Sequence, residues 1–149
     1  MIDQHMLIGG QPCPASNGSV FERKNPLDGS VATRAAAATT EDAVHACEAA
    51  AAAFTSWSQL GPGARRAQLI KASQALQAKG DAIAAAMASE TGASGLWAGF
   101  NVHLASGMLL EAAALTTQIN GEIIPSDVPG SLAMAVRQPA GVVLGIAPW

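Results

Sequence analysis

The sequence has no tyrosine, only 4% aromatic residues and only 13% charged residues in 149. Each shortage excludes something. Eight basic residues against eleven acidic ones give a net charge of -3, so there is no basic surface for phosphates and nucleic acid is excluded as a partner. The acidic excess is too small for a disordered acidic tail. The chain has two cysteines, Cys13 and Cys47, in no metal or redox spacing. No window carries the roughly 18 consecutive strongly apolar residues of a membrane span. Met1-Ile2-Asp3-Gln4-His5 has neither the basic start nor the apolar core of a secretory leader. The expected location is therefore the reduced cytoplasm.

Half the residues are hydrophobic, and alanine carries much of that half. Alanine is the strongest helix former, so the composition points to closely packed helices. The first part is different. Met6-Leu7-Ile8 reads as a strand closed by a Gly9-Gly10 turn, Pro12-Cys13-Pro14 as loop, and Val20–Lys24 and Val31–Ala37 as two more strands. Between those two, Asn25-Pro26-Leu27-Asp28-Gly29 is a turn, with proline presetting φ and glycine taking the positive-φ position.

At Thr39-Thr40-Glu41-Asp42 the pattern changes to helix, with a capping threonine and acids in the first turn. Val44, Cys47, Ala51, Phe54 and Trp57 make its apolar stripe, which makes Cys47 a buried small hydrophobe. Gly61-Pro62-Gly63 breaks the chain before a second helix. Its inward face is Leu69, Ala72 and Leu76, and Arg65, Arg66 and Lys71 face mostly solvent. A short third helix carries Ile83 and Met87 inward and ends at Gly92. A long fourth helix runs from Ser94 to Ile119. Asn120-Gly121 stops it, and Glu122–Pro125 and Leu132–Arg137 follow as a hairpin. The last run, Gly141 to Ile146 followed by Ala147-Pro148-Trp149, reads as a strand buried on both faces. Such strands belong to parallel sheets, which need further strands and crossover helices. The chain is therefore expected to be the front part of a larger α/β protein.

Few residues invite chemistry. His5, His45 and His103 are scattered. His45 and Cys47 stand two apart on a helix and point to different faces, so no metal site is expected. Gly92, Gly95 and Gly99 do not follow a strand and lack the setting of a dinucleotide fingerprint. Trp97 and Phe100 pack in the core or wall an aromatic-lined pocket. Arg137 pairs with an acid at a subunit interface or is simply exposed. The end of the last run is a place where ligands bind in open α/β sheets.

The ordered set of landmarks resembles the NAD(P)-dependent aldehyde dehydrogenase family. These are Ile8-Gly9-Gly10, Asn25-Pro26 with Asp28-Gly29, Glu41-Asp42 before the alanine-rich helix, Arg65-Arg66, Glu90-Thr91-Gly92, Gly121, and Pro139 to Val143 with Ile146-Ala147-Pro148-Trp149. Within the family the run from Gly99 to Trp149 is most similar to dehydrogenases of aromatic aldehydes, of the salicylaldehyde and vanillin kind. The resemblance implies that residues 1–120 form the N-terminal strands and helical layer of the cofactor domain. It implies that 121–139 form part of an oligomerisation β-arm and 140–149 the first strand of a Rossmann-like sheet. It implies oxidation of an aldehyde to an acid with NAD or NADP, in a homodimer or homotetramer, by a cysteine thiolate with a glutamate-activated water. Ile146, Ala147, Pro148 and Trp149 would run along the cofactor, and Trp97 would line the substrate tunnel. No catalytic residue is expected here, because the family's nucleophilic cysteine, glutamate and oxyanion asparagine lie further on. The alternative reading is a non-catalytic helical interaction module.

Overall fold

The computed structural model describes residues 1–147. Among them the chain forms seven short strands and four helices. β1 (Ile2–Gln4), β5 (Val31–Ala36) and β4 (Val20–Lys24) make a sheet in that order, with β1 parallel and β4 antiparallel to β5. β2 (Met6–Ile8) and β3 (Gln11–Cys13) form a separate hairpin, with Met6 opposite Cys13. Its two-residue turn is Gly9-Gly10 at φ 59° and 79°. Positive φ at both positions gives the backbone twist that two-residue hairpins favour. β3 and β1 were not legible in the sequence. Pro12 sits inside β3, which a two-stranded hairpin tolerates because one side of the strand needs no donor.

The β4–β5 turn is closed by its own side chains. The Leu27 amide donates to Asn25 Oδ1 and the Ser30 amide to Asp28 Oδ1, both at 2.9 Å. Hydrogen bonds from the Ser30 side chain and backbone hold the Asp28 carboxyl below its ordinary range.

The helices are α1 (Thr40–Ser58), α2 (Pro62–Ala78), α3 (Gly80–Thr91) and α4 (Gly95–Leu115). α1 starts in a full capping box. The Asp42 amide donates to Thr39 Oγ1 at 3.2 Å, and the Thr39 amide donates to Asp42 Oδ2 at 2.8 Å. The Ser16 amide reaches the same carboxylate at 3.1 Å and ties the strand region to α1. α2 and α4 run antiparallel at close range. Ser73 Oγ donates to the Ser106 carbonyl at 2.9 Å, and both residues are 1% exposed. Ala98 and Ala113 are buried along α4 as well. Small side chains let the two backbones approach. Among the described residues the buried hydrophobic ones, Ala15, Ala32, Ala98 and Ala113, are all alanines.

α3 joins the helices to the sheet. The Thr33 hydroxyl on β5 donates to Glu90 Oε1, and Arg23 on β4 lies 3.4 Å from Glu90 Oε2. Gly92 then ends α3 at φ 70°, and a Cβ there would lie 3.3 Å from Pro26 Cγ. Two separated landmarks, the Asn25–Gly29 turn and Glu90-Thr91-Gly92, thus meet at one corner. β6 (Glu122–Ile124) and β7 (Ala133–Ala135) form the expected hairpin, with a shorter second strand than Leu132–Arg137. A side chain at Gly121 would overlap the Ala135 carbonyl, which explains glycine at the base of this hairpin.

Four expectations are corrected. Cys47 is exposed, and so are Val44 and Trp57 on the same α1 stripe. α1 packs mainly near β2, and the described residues do not cover its apolar side. Arg66 is not solvent-facing, since its guanidinium reaches the end of α4. α4 ends at Leu115 rather than Ile119. Residues 141–147 form no strand, and Val143, Leu144 and Ile146 are exposed. A central strand is held by ladder bonds to neighbours, and none of the described strands pairs with this segment. Pro148 and Trp149 lie outside the described residues.

Candidate functional site

Two features of the described residues suit ligand binding. The first is the head of α4. Ser94 caps it, accepting from the Trp97 amide at 3.3 Å. Trp97 and Phe100 stand three apart, so their rings share one side of the helix. The rings stack with centroids 5.4 Å apart and planes 21° from parallel. That offset geometry is the one aromatic pairs prefer. Asn101 Nδ2 donates to the Trp97 carbonyl at 2.8 Å. Trp97 is 46% exposed and Phe100 48%, so neither is a core residue of these elements. The pair is a flat apolar plate, stiffened by stacking and by the cap beneath it. Leu96 and Leu104 extend it, both exposed. The apolar residues of α4 are spread around the helix rather than gathered on one face, with only His103 and Glu111 as exposed titratable groups along it. Such a helix offers apolar surface on more than the side that packs against α2.

The second feature is the segment after Pro139. Gly141, at φ 103°, turns the chain along α1. Gly141, Val142 and Val143 share a cavity of about 280 Å³ with Ala50, Ala53, Phe54 and Trp57. Ile146 is 86% exposed and Ala147 is exposed as well. Trp97 therefore belongs to α4 and the terminal segment to the α1 side, on different elements. Sequence reading named both places but did not join them, and the described geometry keeps them apart.

The polar groups do structural work. Asp42 is held below its ordinary carboxylate range, first by the Thr39 amide and then by Ser16 and the Thr39 hydroxyl, against the opposing effect of burial. Arg66 Nε donates to the Ala113 carbonyl at 3.1 Å, and Nη2 donates to the Ala114 carbonyl at 3.3 Å and Thr117 Oγ1 at 3.1 Å. A cation on the last carbonyls of a helix complements its dipole. The signal for this lay in the doublet Arg65-Arg66 about one turn after a break, but its target, 47 residues away, was not readable. Cys13 Sγ approaches the Met6 carbonyl at 3.9 Å and the Gln11 carbonyl at 3.8 Å, inside the first hairpin. Nothing there resembles a base that would make it a nucleophile. Among the described residues no three His, Cys, Asp or Glu side chains gather where they could hold a metal, and no helix is long and apolar enough to cross a membrane.

Residues 14–149 match the model of the aldehyde dehydrogenase family. The chain belongs to that family. It is 60% identical to a vanillin dehydrogenase of Pseudomonas fluorescens, over 100% of this chain and 31% of that protein. It is 45% identical to a salicylaldehyde dehydrogenase of Pseudomonas putida, over 97% of this chain and 30% of that one. The fold agrees. A solved salicylaldehyde dehydrogenase from Pseudomonas putida G7, complexed with salicylaldehyde, superposes with a TM-score of 0.90 at 42% identity, covering 93% of this chain and 29% of that one. An NAD-dependent benzaldehyde dehydrogenase from Corynebacterium glutamicum gives 0.78 at 28% identity, covering 85% of this chain and 28% of that one. The chain thus spans about 30% of the length of the relatives it matches. As an aldehyde dehydrogenase segment it has the α/β fold expected from its landmarks. Its four helices and small sheets correspond to the N-terminal part of the family fold.

Proposed function

We propose that these 149 residues are the first third of a dehydrogenase that oxidises an aromatic aldehyde to its carboxylic acid with NAD. The observation that carries the reading is the 60% identity to a vanillin dehydrogenase along the whole chain. The stacked plate at the head of α4 supports it. Trp97 presents a flat, half-exposed apolar face of the kind that lines a pocket for a planar ring. In this reading Trp97, backed by Phe100, is a wall of the substrate tunnel.

NAD, when bound, would supply the hydride acceptor for oxidation of the aldehyde. The residues here that suit it are Ile146 and Ala147, an exposed length of irregular backbone with apolar side chains, followed by Pro148 and Trp149. They fit one edge of a cofactor. Among the described residues no glycine-rich loop opens a helix behind them to hold its phosphates. The segment 140–149 then becomes the first strand of a Rossmann-like sheet when its neighbours stand beside it. The β6–β7 hairpin contributes to an arm between subunits of a cytoplasmic homodimer or homotetramer. The chain's own residues bind and orient, and the nucleophile, the glutamate and the oxyanion donor come from elsewhere in the polypeptide.

The test is the protein expressed from its complete gene, assayed for NADH formation with vanillin, salicylaldehyde, benzaldehyde and propionaldehyde. The aromatic substrates should have the higher kcat/KM. Trp97→Ala should raise KM for them by about tenfold, the scale of one lost stacking contact, and leave propionaldehyde nearly unchanged. Preference for the aliphatic aldehyde, or no reduction of NAD, would overturn the reading. The interaction-module alternative predicts no turnover with any aldehyde.

A further inference from the structure

The corner between α1 and α2 holds a pocket of its own. The corner is closed on itself. The Leu60 amide donates to the Trp57 carbonyl at 3.1 Å, and Arg65 Nη1 donates to the Leu60 carbonyl at 2.9 Å. Arg65 is half-buried and held beside Trp57 by these bonds. Arg137, just after β7, lines the same pocket from the opposite end of the chain. Ile119 and Pro139 complete an apolar wall with Trp57, and the space is about 210 Å³.

Two arginines therefore line one largely apolar pocket in a chain of net charge -3. Among the described residues neither pairs with a carboxylate, since the ion pairs there join Arg23 to Glu90 and Arg34 to Glu22. Arg65 spends one of its five N–H groups on Leu60. Guanidinium matches the planar carboxylate, and an indole face matches a planar ring. A cavity of about 150 Å³ already holds a benzene ring, so this one has room for a ring with its carboxylate. We propose that the pocket of Trp57, Arg65, Ile119, Arg137 and Pro139 binds a small aromatic carboxylate. The proposal stands on the pocket and not on the dehydrogenase reading. If both hold, the ligand belongs to the same chemical class as the reaction product.

Photolabelling with 4-azidobenzoate tests this on the protein expressed from its complete gene, with labelled peptides mapped by mass spectrometry. Labels should fall on the peptides that carry Trp57 and Pro139. Benzoate should displace them, while benzamide, the neutral isostere, should compete at least about tenfold less well, the scale of a lost charge-assisted hydrogen bond. Arg137→Gln, at an exposed position that closes no helix, should weaken labelling by a similar factor without changing NADH production. Trp57→Leu should erase the preference for benzoate over cyclohexanecarboxylate. Labels that map elsewhere would overturn the proposal. So would labelling that Arg137→Gln leaves intact, equal competition by benzamide, or competition by acetate as strong as by benzoate, which would mark a seat for an acidic side chain. Because labelling is read at this corner's peptides and turnover as NADH formation, failure here leaves the dehydrogenase reading untouched, and absence of turnover leaves this proposal untouched.

Discussion

Gly92→Ala isolates the conformational demand of one residue. Gly92 closes α3 at φ 70°, where an alanine Cβ crowds the following carbonyl oxygen. That conformation costs an L-residue about 1–2 kcal/mol. The added methyl also narrows the unfolded chain's freedom, which offsets about 0.5 kcal/mol. The new Cβ would stand 3.3 Å from Pro26 Cγ and 3.9 Å from Leu27 Cδ2, the first contact tight and the second ordinary. Leu27 is an exposed loop residue and the turn can give by a few tenths of an ångström. The expected net loss is about 1 kcal/mol, a factor of about five in the unfolding equilibrium. Urea denaturation followed by far-UV circular dichroism measures it. Gly92→Asn should lose less, because asparagine tolerates the left-handed region, although it brings the same Cβ. A double-mutant cycle with Pro26→Ala then separates the contact from the backbone term. A neutral Gly92→Ala, or an asparagine variant less stable than the alanine one, would refute this account of the α3 terminus.

Three further outcomes are expected. Ser73→Ala should destabilise by about 1 kcal/mol through the lost bond to the Ser106 carbonyl, and Ser73→Val by about 1–3 kcal/mol through overpacking between α2 and α4; thermal melting of both variants ranks them. Asp42 has its carboxyl lowered in the folded state, so its support of α1 is fully present above the unfolded value of 3.8 and is lost as pH falls through the folded value below it. Asp42→Asn should flatten that acid limb in a stability–pH profile and leave its shape near neutral pH unchanged. Gly121→Ala should open the base of the β6–β7 hairpin, because its Cβ would overlap the Ala135 carbonyl; amide exchange at Ile123 and Met134 should quicken by about tenfold or more, the scale of one broken hairpin bond, while α2 and α4 keep their protection.

The helices were legible because their ends are written in local chemistry. Thr39 with Asp42, Pro62 after Gly61, and Gly92 each act within one turn of themselves. The Asn25–Gly29 turn was legible for the same reason. What failed was anything that depends on a partner. The α1 stripe through Cys47 and Trp57 has helical spacing, yet spacing does not say what covers it, and here it is exposed. β3 was hidden by Pro12, which reads as a breaker but sits where no donor is needed. Arg66 looked like a surface charge because its acceptors lie on another helix. The terminal run has the composition of a central strand, and composition cannot supply the neighbours that make it one. Of the candidate site, Trp97 was located on the correct helix, and its stacking on Phe100 was not read from the spacing.

Glu90 sets a datum for the aromatic plate. One of its oxygens is held from β5 by Thr33, the other from β4 by Arg23. Gly92 and the Ser94 cap follow at once, and Trp97 stands on the first turn after them. The start of α4 is thus tied to the sheet through α3, in addition to the packing of α4 against α2. A substitution at Arg23 or Thr33, far from Trp97 in sequence, therefore loosens one of the ties that place the aromatic plate. If that plate walls the substrate tunnel, as proposed, selectivity could be adjusted from the strands without altering Trp97 itself.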